Sequence, residues 1–228
     1  MPVYDIIDTI KIEPHITFIR INPNDITLTL KEVFESLANL SWIKSFDVDY
    51  IRSSFTVRAE STIKYIADNI IKSTDDAITS NSGEYIVSEL ARKAVVNELK
   101  YLDIPLGELI KEQKVGNPGF DFYSKNLVKI ILFGEAKYHH RDNAYGSAFN
   151  QIIRFEKEKR HIADLVDIDK FCCSESLENI SKNNKKGYMA AFASKGISTE
   201  NLIQNIKNNA NYQKLSKSEE LICIAVNI

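Results

Sequence analysis

The chain has 228 residues, of which 44% are hydrophobic and 26% are charged, and this composition is typical of a folded globular protein rather than a disordered one. Its 29 Lys and Arg residues against 31 Asp and Glu give a formal net charge of −2, which argues against binding to nucleic acid over the whole surface. The apolar runs are too short for a membrane-spanning helix and the first residues do not resemble a secretory signal, so we expect a cytoplasmic protein without a membrane segment.

The first 80 residues alternate apolar segments with turn residues. Residues 15–21 predict a strand, and a helix capped by Thr27 or Thr29 follows the Asn-Pro-Asn-Asp turn. Residues 42–57 are predicted as one or two strands, before another helix marked by isoleucines at positions 63, 66, 70 and 71. The polar segment 73–83 predicts a linker. We therefore divide the chain into an N-terminal α/β accessory region, residues 1–80, and a core, residues 81–228.

The core begins with a long predicted helix at residues 84–102. At 100° per residue its apolar side chains share one arc, so we expect Glu84, at the edge of that arc, to be half-buried and Glu89, on the opposite side, to face solvent. A turn at 115–119, a short strand at 120–123 and a strongly apolar strand at 129–137 follow. The remaining predicted elements are a helix at 143–160, a strand at 188–193, a helix near 199–208 and a strand at 221–228.

The apolar strand at 129–137 ends in residues able to carry chemistry. Side chains two apart in a strand share a face, so Glu135 and Lys137 are expected to project together. A hairpin with the preceding strand would bring Asp121 towards Glu135, and Glu84 could add a third acid. Phosphodiester hydrolysis needs a divalent cation, which carboxylates hold, and a lysine beside it can orient water and stabilise negative charge.

The bare pattern Glu-x-Lys is not specific, because it occurs at positions 98–100, 112–114 and 135–137. The first lies in a predicted helix, where residues two apart do not face each other, and the second has no apolar strand before it. Only the third follows an apolar run and a turn bearing Gly-x-Asp, so it is the one we interpret as a site.

Four features of the core form one pattern: Glu84 in a helix, Gly119-Phe120-Asp121, residues 132–137 (Leu-Phe-Gly-Glu-Ala-Lys) and a later helix with Gln151. This pattern resembles the PD-(D/E)XK nuclease superfamily. The resemblance covers about residues 83–160. Ser-Gly-Glu at residues 82–84 and the Phe-Gly-Glu-Ala-Lys-Tyr block are more narrowly similar to the HamA nuclease subunits of Hachiman anti-phage defence systems. One difference is that proline lies three residues before Asp121, at position 118, whereas the superfamily motif has it directly before the aspartate.

The resemblance implies a restriction-endonuclease-like core, a central mixed sheet flanked by helices, that hydrolyses DNA phosphodiester bonds with Mg²⁺, for which Mn²⁺ substitutes. It implies that Asp121 and Glu135 ligate the metal, that Glu84 completes the acidic cluster and that Lys137 serves the attacking water. It also implies that the helix with Gln151 approaches the DNA backbone. The narrower similarity implies a helicase subunit as partner.

Two further interpretations stay open. Arg154, Lys185 and Lys186, with their basic neighbours, form either a rim that binds the DNA backbone or ordinary solvated charge. The chain is alternatively a free-standing restriction or repair endonuclease, which would need its own basic groove and a homodimer, or a nuclease-like interaction module whose acids no longer bind metal.

Overall fold

A computed structural model of the chain describes residues 4–66, 80–111 and 119–228, which form six strands and ten α-helices. The strands are β1 Tyr4–Glu13, β2 Ile16–Pro23, β3 Phe122–Lys125, β4 Ile131–Lys137, β5 Gly187–Ala193 and β6 Leu221–Val226. The helices are α1 Ile26–Ala38, α2 Asp49–Ile66, α3 Ser80–Leu99, α4 Gly107–Ile110, α5 Tyr145–Lys157, α6 Arg160–Ala163, α7 Leu165–Ile168, α8 Ser174–Ser181, α9 Thr199–Lys207 and α10 Ala210–Leu215.

The strands form one mixed sheet in the order β1-β2-β6-β5-β4-β3. The inner strands β2, β6, β5 and β4 are parallel, whereas β1 and β3 pair antiparallel at the two edges. Every residue of β5 and β6 is buried, as expected for parallel strands covered by helices on both faces. The expected α/β class, with a mixed sheet flanked by helices, is therefore confirmed.

The N-terminal strands belong to this same sheet. β1 and β2 form a hairpin, and β2 pairs in parallel with β6, so that Ile16 lies opposite Leu221 and Ile21 opposite Val226. The strand expected at residues 15–21 is confirmed, whereas β1 had no counterpart in the sequence analysis. The division into residues 1–80 and 81–228 stays a prediction, and strand pairing links the two parts.

Two expectations for the N-terminal part are wrong in detail. Helix α1 is capped by Asp25, whose carboxylate accepts the N–H of Leu28 at 2.9 Å, rather than by a threonine. Residues 42–57 contain no strand: they comprise most of a 3₁₀ helix, Ser41–Ser45, a three-residue connection and the first half of α2. The buried residues of α2 recur at spacings of three and four: Phe55, Ala59, Thr62 and Ile66.

The linker predicted at 73–83 lies mostly outside the described residues, and its last residues, 80–83, form the first turn of α3. Ile70, Ile71 and the turn at 115–118 also lie outside the described residues. The other predicted strands and helices of the core are present, with ends that differ by a few residues. In the described part of the chain, no helix combines the length and the apolar content needed to cross a membrane.

The expectation for Glu89 is wrong, because its side chain is only 1% exposed. Ser36 on α1 covers this side of α3 and donates a hydrogen bond to Glu89. Arg92 binds both carboxylate oxygens of Glu89, at 2.7 and 2.8 Å, and also pairs with Asp103. Glu89 thus belongs to a buried ion network between two helices.

Candidate active site

The carboxyl end of β4 brings the two expected side chains together. Glu135 is fully buried, and its Oε1 lies 2.8 Å from Nζ of Lys137. The two residues are two apart in a strand and share a face, as the sequence predicts. Apart from this ion pair, neither carboxylate oxygen of Glu135 has a hydrogen-bond partner within the described residues. The acid is therefore held by a single ion pair and is otherwise unsatisfied.

Asp121 lies beside this pair because of the β3–β4 hairpin. Its N–H donates to the Gly134 carbonyl at 2.9 Å, and its Oδ2 accepts the N–H of Ala136 at 2.7 Å. The ring of Phe122 lies across Gly134, where an added Cβ would come within 2.6 Å of ring atoms. Glycine at position 134 thus lets the hairpin close and fixes the Asp121 carboxylate next to Glu135.

Glu84 reaches the same lysine from α3. Its Oε1 lies 3.2 Å from Nζ of Lys137, and its side chain is 42% exposed, so the expectation of a half-buried acid is confirmed. The first turn of α3 approaches the end of β4 closely, since a Cβ on Gly83 would lie 2.3 Å from the Tyr138 ring. Glu84 therefore forms the solvent side of the acidic cluster.

A fourth acid, Glu108, was missed by the sequence analysis. It lies on α4, which is held against the strand by a hydrogen bond of 2.7 Å from the Gly107 N–H to the Asp121 carbonyl. Oε2 of Glu108 is buried and has no hydrogen-bond partner among the described residues. No periodicity marks this single helical turn, so only the sequence Gly107-Glu108, a glycine that permits close approach followed by an acid, hints at it.

The cluster shifts the pKa values of its members. Burial raises the pKa of Asp121 to about 6, although the charge of Lys137 acts in the opposite direction. Burial and the charge of Asp121 raise the pKa of Glu135 well above its usual range and that of Glu108 to about 8. Burial alone would lower the pKa of Lys137, but Glu135, Asp121 and Glu84 together raise it above its usual value. Lys137 thus keeps its charge at neutral pH, whereas Asp121 and Glu135 ionise at higher pH than ordinary carboxyl groups do.

The donor set fits a hard divalent cation held by few protein ligands. In residues 4–66, 80–111 and 119–228, no three His, Cys, Asp or Glu side chains form a complete metal-binding group. Mg²⁺, however, is usually bound by one or two carboxylates, with water and substrate oxygens filling the other positions. Asp121 and Glu135 supply such a pair, and the unsatisfied oxygens of Glu135 are the observation that favours a ligand here.

The residues expected to contact DNA are not gathered at this edge. Because β4 and β5 are parallel, Lys137 pairs with Phe192, whereas Gly187, just after Lys185 and Lys186, pairs with Leu132. Gly187 thus lies about 16 Å from Lys137 along the strands, at about 3.3 Å per residue, and Lys185 and Lys186 come before it in the chain. Lys185 is exposed, whereas Lys186 is buried and lies 3.7 Å from Glu156.

Helix α5 shows the same separation. It starts near the end of β5, where the Ala144 N–H donates to the Ala193 carbonyl at 3.1 Å, and runs back towards the start of that strand. Arg154, near its far end, is exposed and lies 3.9 Å from Glu158. Gln151, in its middle, is partly exposed. The structure therefore places Arg154, Lys185 and Lys186 towards the other end of the strands from Lys137.

A different cation, Lys195, lies at the acidic edge. It follows β5, and its Nζ donates to the His140 carbonyl at 2.5 Å and lies 5.3 Å from the centre of the Tyr138 ring. Asn143 ties the two loops together by accepting the N–H of Lys195 at 2.9 Å. The sequence signal for Lys195 was its position just after the predicted strand at 188–193, because ligands of α/β sheets usually bind at the carboxyl ends of the strands.

No protein-family model matches the chain, and no curated protein does. We therefore infer a function from the geometry of Asp121, Glu135, Lys137 and Glu84.

Proposed function

We propose that this chain is a metal-dependent deoxyribonuclease that hydrolyses phosphodiester bonds. The observation that carries the proposal is the fully buried carboxylate of Glu135 at the carboxyl edge of the sheet, which is paired with Lys137, lies near Asp121 and has no other hydrogen-bond partner among the described residues. Burying an acid with a single polar partner costs stability, and a role in binding a cation accounts for such an arrangement.

The side chains have distinct roles in this proposal. Mg²⁺ or Mn²⁺ would neutralise charge on the scissile phosphate and acidify water. Asp121 and Glu135 hold the cation, and the N–H of Ala136 keeps the Asp121 carboxylate in place. Lys137, held between Glu135 and Glu84, donates hydrogen bonds to the attacking water and stabilises the developing negative charge. Glu84, on the solvent side, supports the site where substrate enters.

The order of elements supports a restriction-endonuclease-like core. An acid on α3, an aspartate before β3, the Glu-x-Lys pair ending β4 and a helix with Gln151 before β5 follow one another as the resemblance to the PD-(D/E)XK superfamily implies. The β3–β4 hairpin positions Asp121, Glu135 and Lys137, and the helices that carry Glu84 and Gln151, α3 and α5, both pack against β4.

The distribution of basic residues favours a partner that binds the DNA. A free-standing endonuclease needs a basic groove beside its acids, but Arg154, Lys185 and Lys186 lie towards the other end of the strands. Lys195 is a cation at the acidic edge that can contact a phosphate. We therefore extend the proposal to a nuclease that acts with a helicase subunit in anti-phage defence, as the narrower resemblance implies.

The test combines cleavage with cation binding. Single- and double-stranded DNA are incubated with the protein and Mg²⁺ or Mn²⁺, and Mn²⁺ binding is measured separately by calorimetry. We expect E135Q to lose both cleavage and Mn²⁺ binding, because it removes a ligand charge without changing shape. We expect K137M to lose cleavage but to keep Mn²⁺ binding. The matched control is E98Q, which neutralises an exposed glutamate on α3 and should change neither.

Three results would contradict the proposal. Cleavage by E135Q at the wild-type rate would remove the assigned metal ligand. Wild-type protein that binds Mn²⁺ but cleaves no DNA would remove the assigned activity, and wild-type protein that binds no cation would favour the interaction module whose acids do not bind metal.

A further inference from the structure

A cavity of about 230 Å³ lies between α1, the 3₁₀ helix, α3 and the segment that contains α4. None of the four residues assigned to the active site lines it. The lining residues include Trp42, Glu89, Arg92, Asp103 and Leu109. Sites for drug-sized ligands usually measure about 300–1,000 Å³, so this cavity has room for one smaller molecule.

Trp42 contributes an unused hydrogen-bond donor to the lining. Its Nε1 is buried and has no hydrogen-bond partner among the described residues. The indole is held in place by packing, because its ring centre lies 5.4 Å from that of Phe55 and 5.7 Å from that of Phe171. A buried N–H without a partner costs stability. A ligand that presents an acceptor to Nε1 would remove this cost.

Asp103 offers an acceptor at the mouth of the same cavity. Its side chain is 57% exposed, and its Oδ1 pairs with Arg92, which leaves Oδ2 to accept a further hydrogen bond. Glu89, by contrast, is buried and already binds Arg92 through both carboxylate oxygens. The ligand therefore needs a donor for Asp103 as well as an acceptor for Trp42.

The charges of the lining disfavour an anionic ligand. Glu89 and Asp103 outnumber Arg92, and Lys93, 3.7 Å from Glu89, at most neutralises the difference. A phosphate or carboxylate would lose hydration here without gaining a free cation as partner. An uncharged ligand fits better. Because the donor on Trp42 is buried and Asp103 is exposed, the ligand's acceptor should project from its ring, as the carbonyl oxygen of a lactam does.

We infer that this cavity binds a nucleoside whose base has a lactam edge, a carbonyl group beside a ring N–H, as uracil and hypoxanthine do. The carbonyl oxygen accepts the N–H of Trp42, and the ring N–H donates to Asp103, which is the usual way in which proteins recognise the edge of a base. The base lies against Leu109. Leu109 belongs to α4, whose Gly107 N–H donates to the Asp121 carbonyl at 2.7 Å, so the ligand contacts the turn that supports the active site. Binding of the nucleoside does not require the cation site.

The test is calorimetric titration of the metal-free chain, in EDTA, with uridine and with inosine. We expect at least one of them to bind, and its N-methylated form, 3-methyluridine or 1-methylinosine, to bind at least about tenfold more weakly, because a methyl group replaces the donor. W42F keeps an aromatic ring but loses the N–H, and D103A loses the acceptor, so each should weaken binding about tenfold. The matched control is D49A, because the exposed Asp49 also pairs with an arginine, Arg52, but does not line the cavity. Circular dichroism shows whether the variants are folded.

Three results would overturn the inference: wild-type protein that binds neither nucleoside, methylated forms that bind as tightly as their parents, or D103A with the affinity of the wild type. D103A alters an exposed side chain, so it decides the matter even if W42F does not fold. The proposed function fails separately, because these titrations contain no free divalent cation and do not measure cleavage.

Discussion

Replacing Asp121 by asparagine should stabilise the metal-free protein, and the gain should depend on pH. The asparagine can still accept the N–H of Ala136, but it carries no charge. Burial raises the pKa of Asp121 from its ordinary 3.8 to about 6 in the folded protein. Between these values the folded state holds a proton that the unfolded state has lost, so the wild type loses stability as pH rises from about 4 to about 6. At about 1.4 kcal/mol per pKa unit the loss amounts to at most about 3 kcal/mol.

Urea unfolding in EDTA measures the gap in the free energy of unfolding between D121N and the wild type. Trp42, the only tryptophan, packs against Phe46, Phe55 and Phe171 and reports unfolding by fluorescence. We expect D121N to be about 3 kcal/mol more stable at pH 8 and about half of that at pH 5, with the gap vanishing below pH 4. The exposed Asp142 offers the control D142N, which should show no gap. A gap independent of pH, or a D121N protein less stable than the wild type at pH 8, would refute the reasoning.

Two further predictions concern buried contacts. G134A should lose about 1–3 kcal/mol of stability and weaken Mn²⁺ binding, because the new Cβ displaces the Phe122 ring that closes the β3–β4 hairpin. The control G146A has no neighbour nearer than 3.8 Å and should gain up to about 1 kcal/mol as a helical alanine, so equal stability of the two variants in urea would contradict this prediction. E89A should cost about 3 kcal/mol, since it leaves the buried guanidinium of Arg92 without its main partner, whereas E98A on the exposed side of α3 should change little. Thermal denaturation of E89A and E98A measures the two losses of stability. If E89A loses no more stability than E98A does, the ion network of Glu89 and Arg92 contributes none.

The elements that sequence patterns predicted well are those whose local signals agree with their burial. The apolar run of β4 is recognisable because both faces of that strand are covered, and period-two geometry then places Glu135 beside Lys137. Asp121 could be placed because a tight turn and an antiparallel hairpin need only local information. The chemical centre of the site could thus be predicted from one stretch of sequence.

What could not be predicted depends on contacts between distant segments. The aromatic and β-branched residues of 42–57 favour strands by propensity, but packing of Phe55 against Trp42 and Phe46 selects a helix. Burial of Glu89 requires knowing that Ser36 covers it. Lys185 was expected near the site because the sequence alone does not show that β5 runs parallel to β4, which puts the turn before β5 at the end of β4 opposite Lys137.

The position of β6 has a consequence for synthesis of the protein. This strand, the last along the chain, lies between β2 and β5 in the middle of the sheet. During synthesis on the ribosome, β2 and β5 therefore each keep one unpaired edge until residue 226 has emerged. Folding by such long-range pairing is slow and exposes the nascent chain to aggregation. A truncated product that lacks β6 therefore leaves one edge of β2 and one edge of β5 without a partner strand.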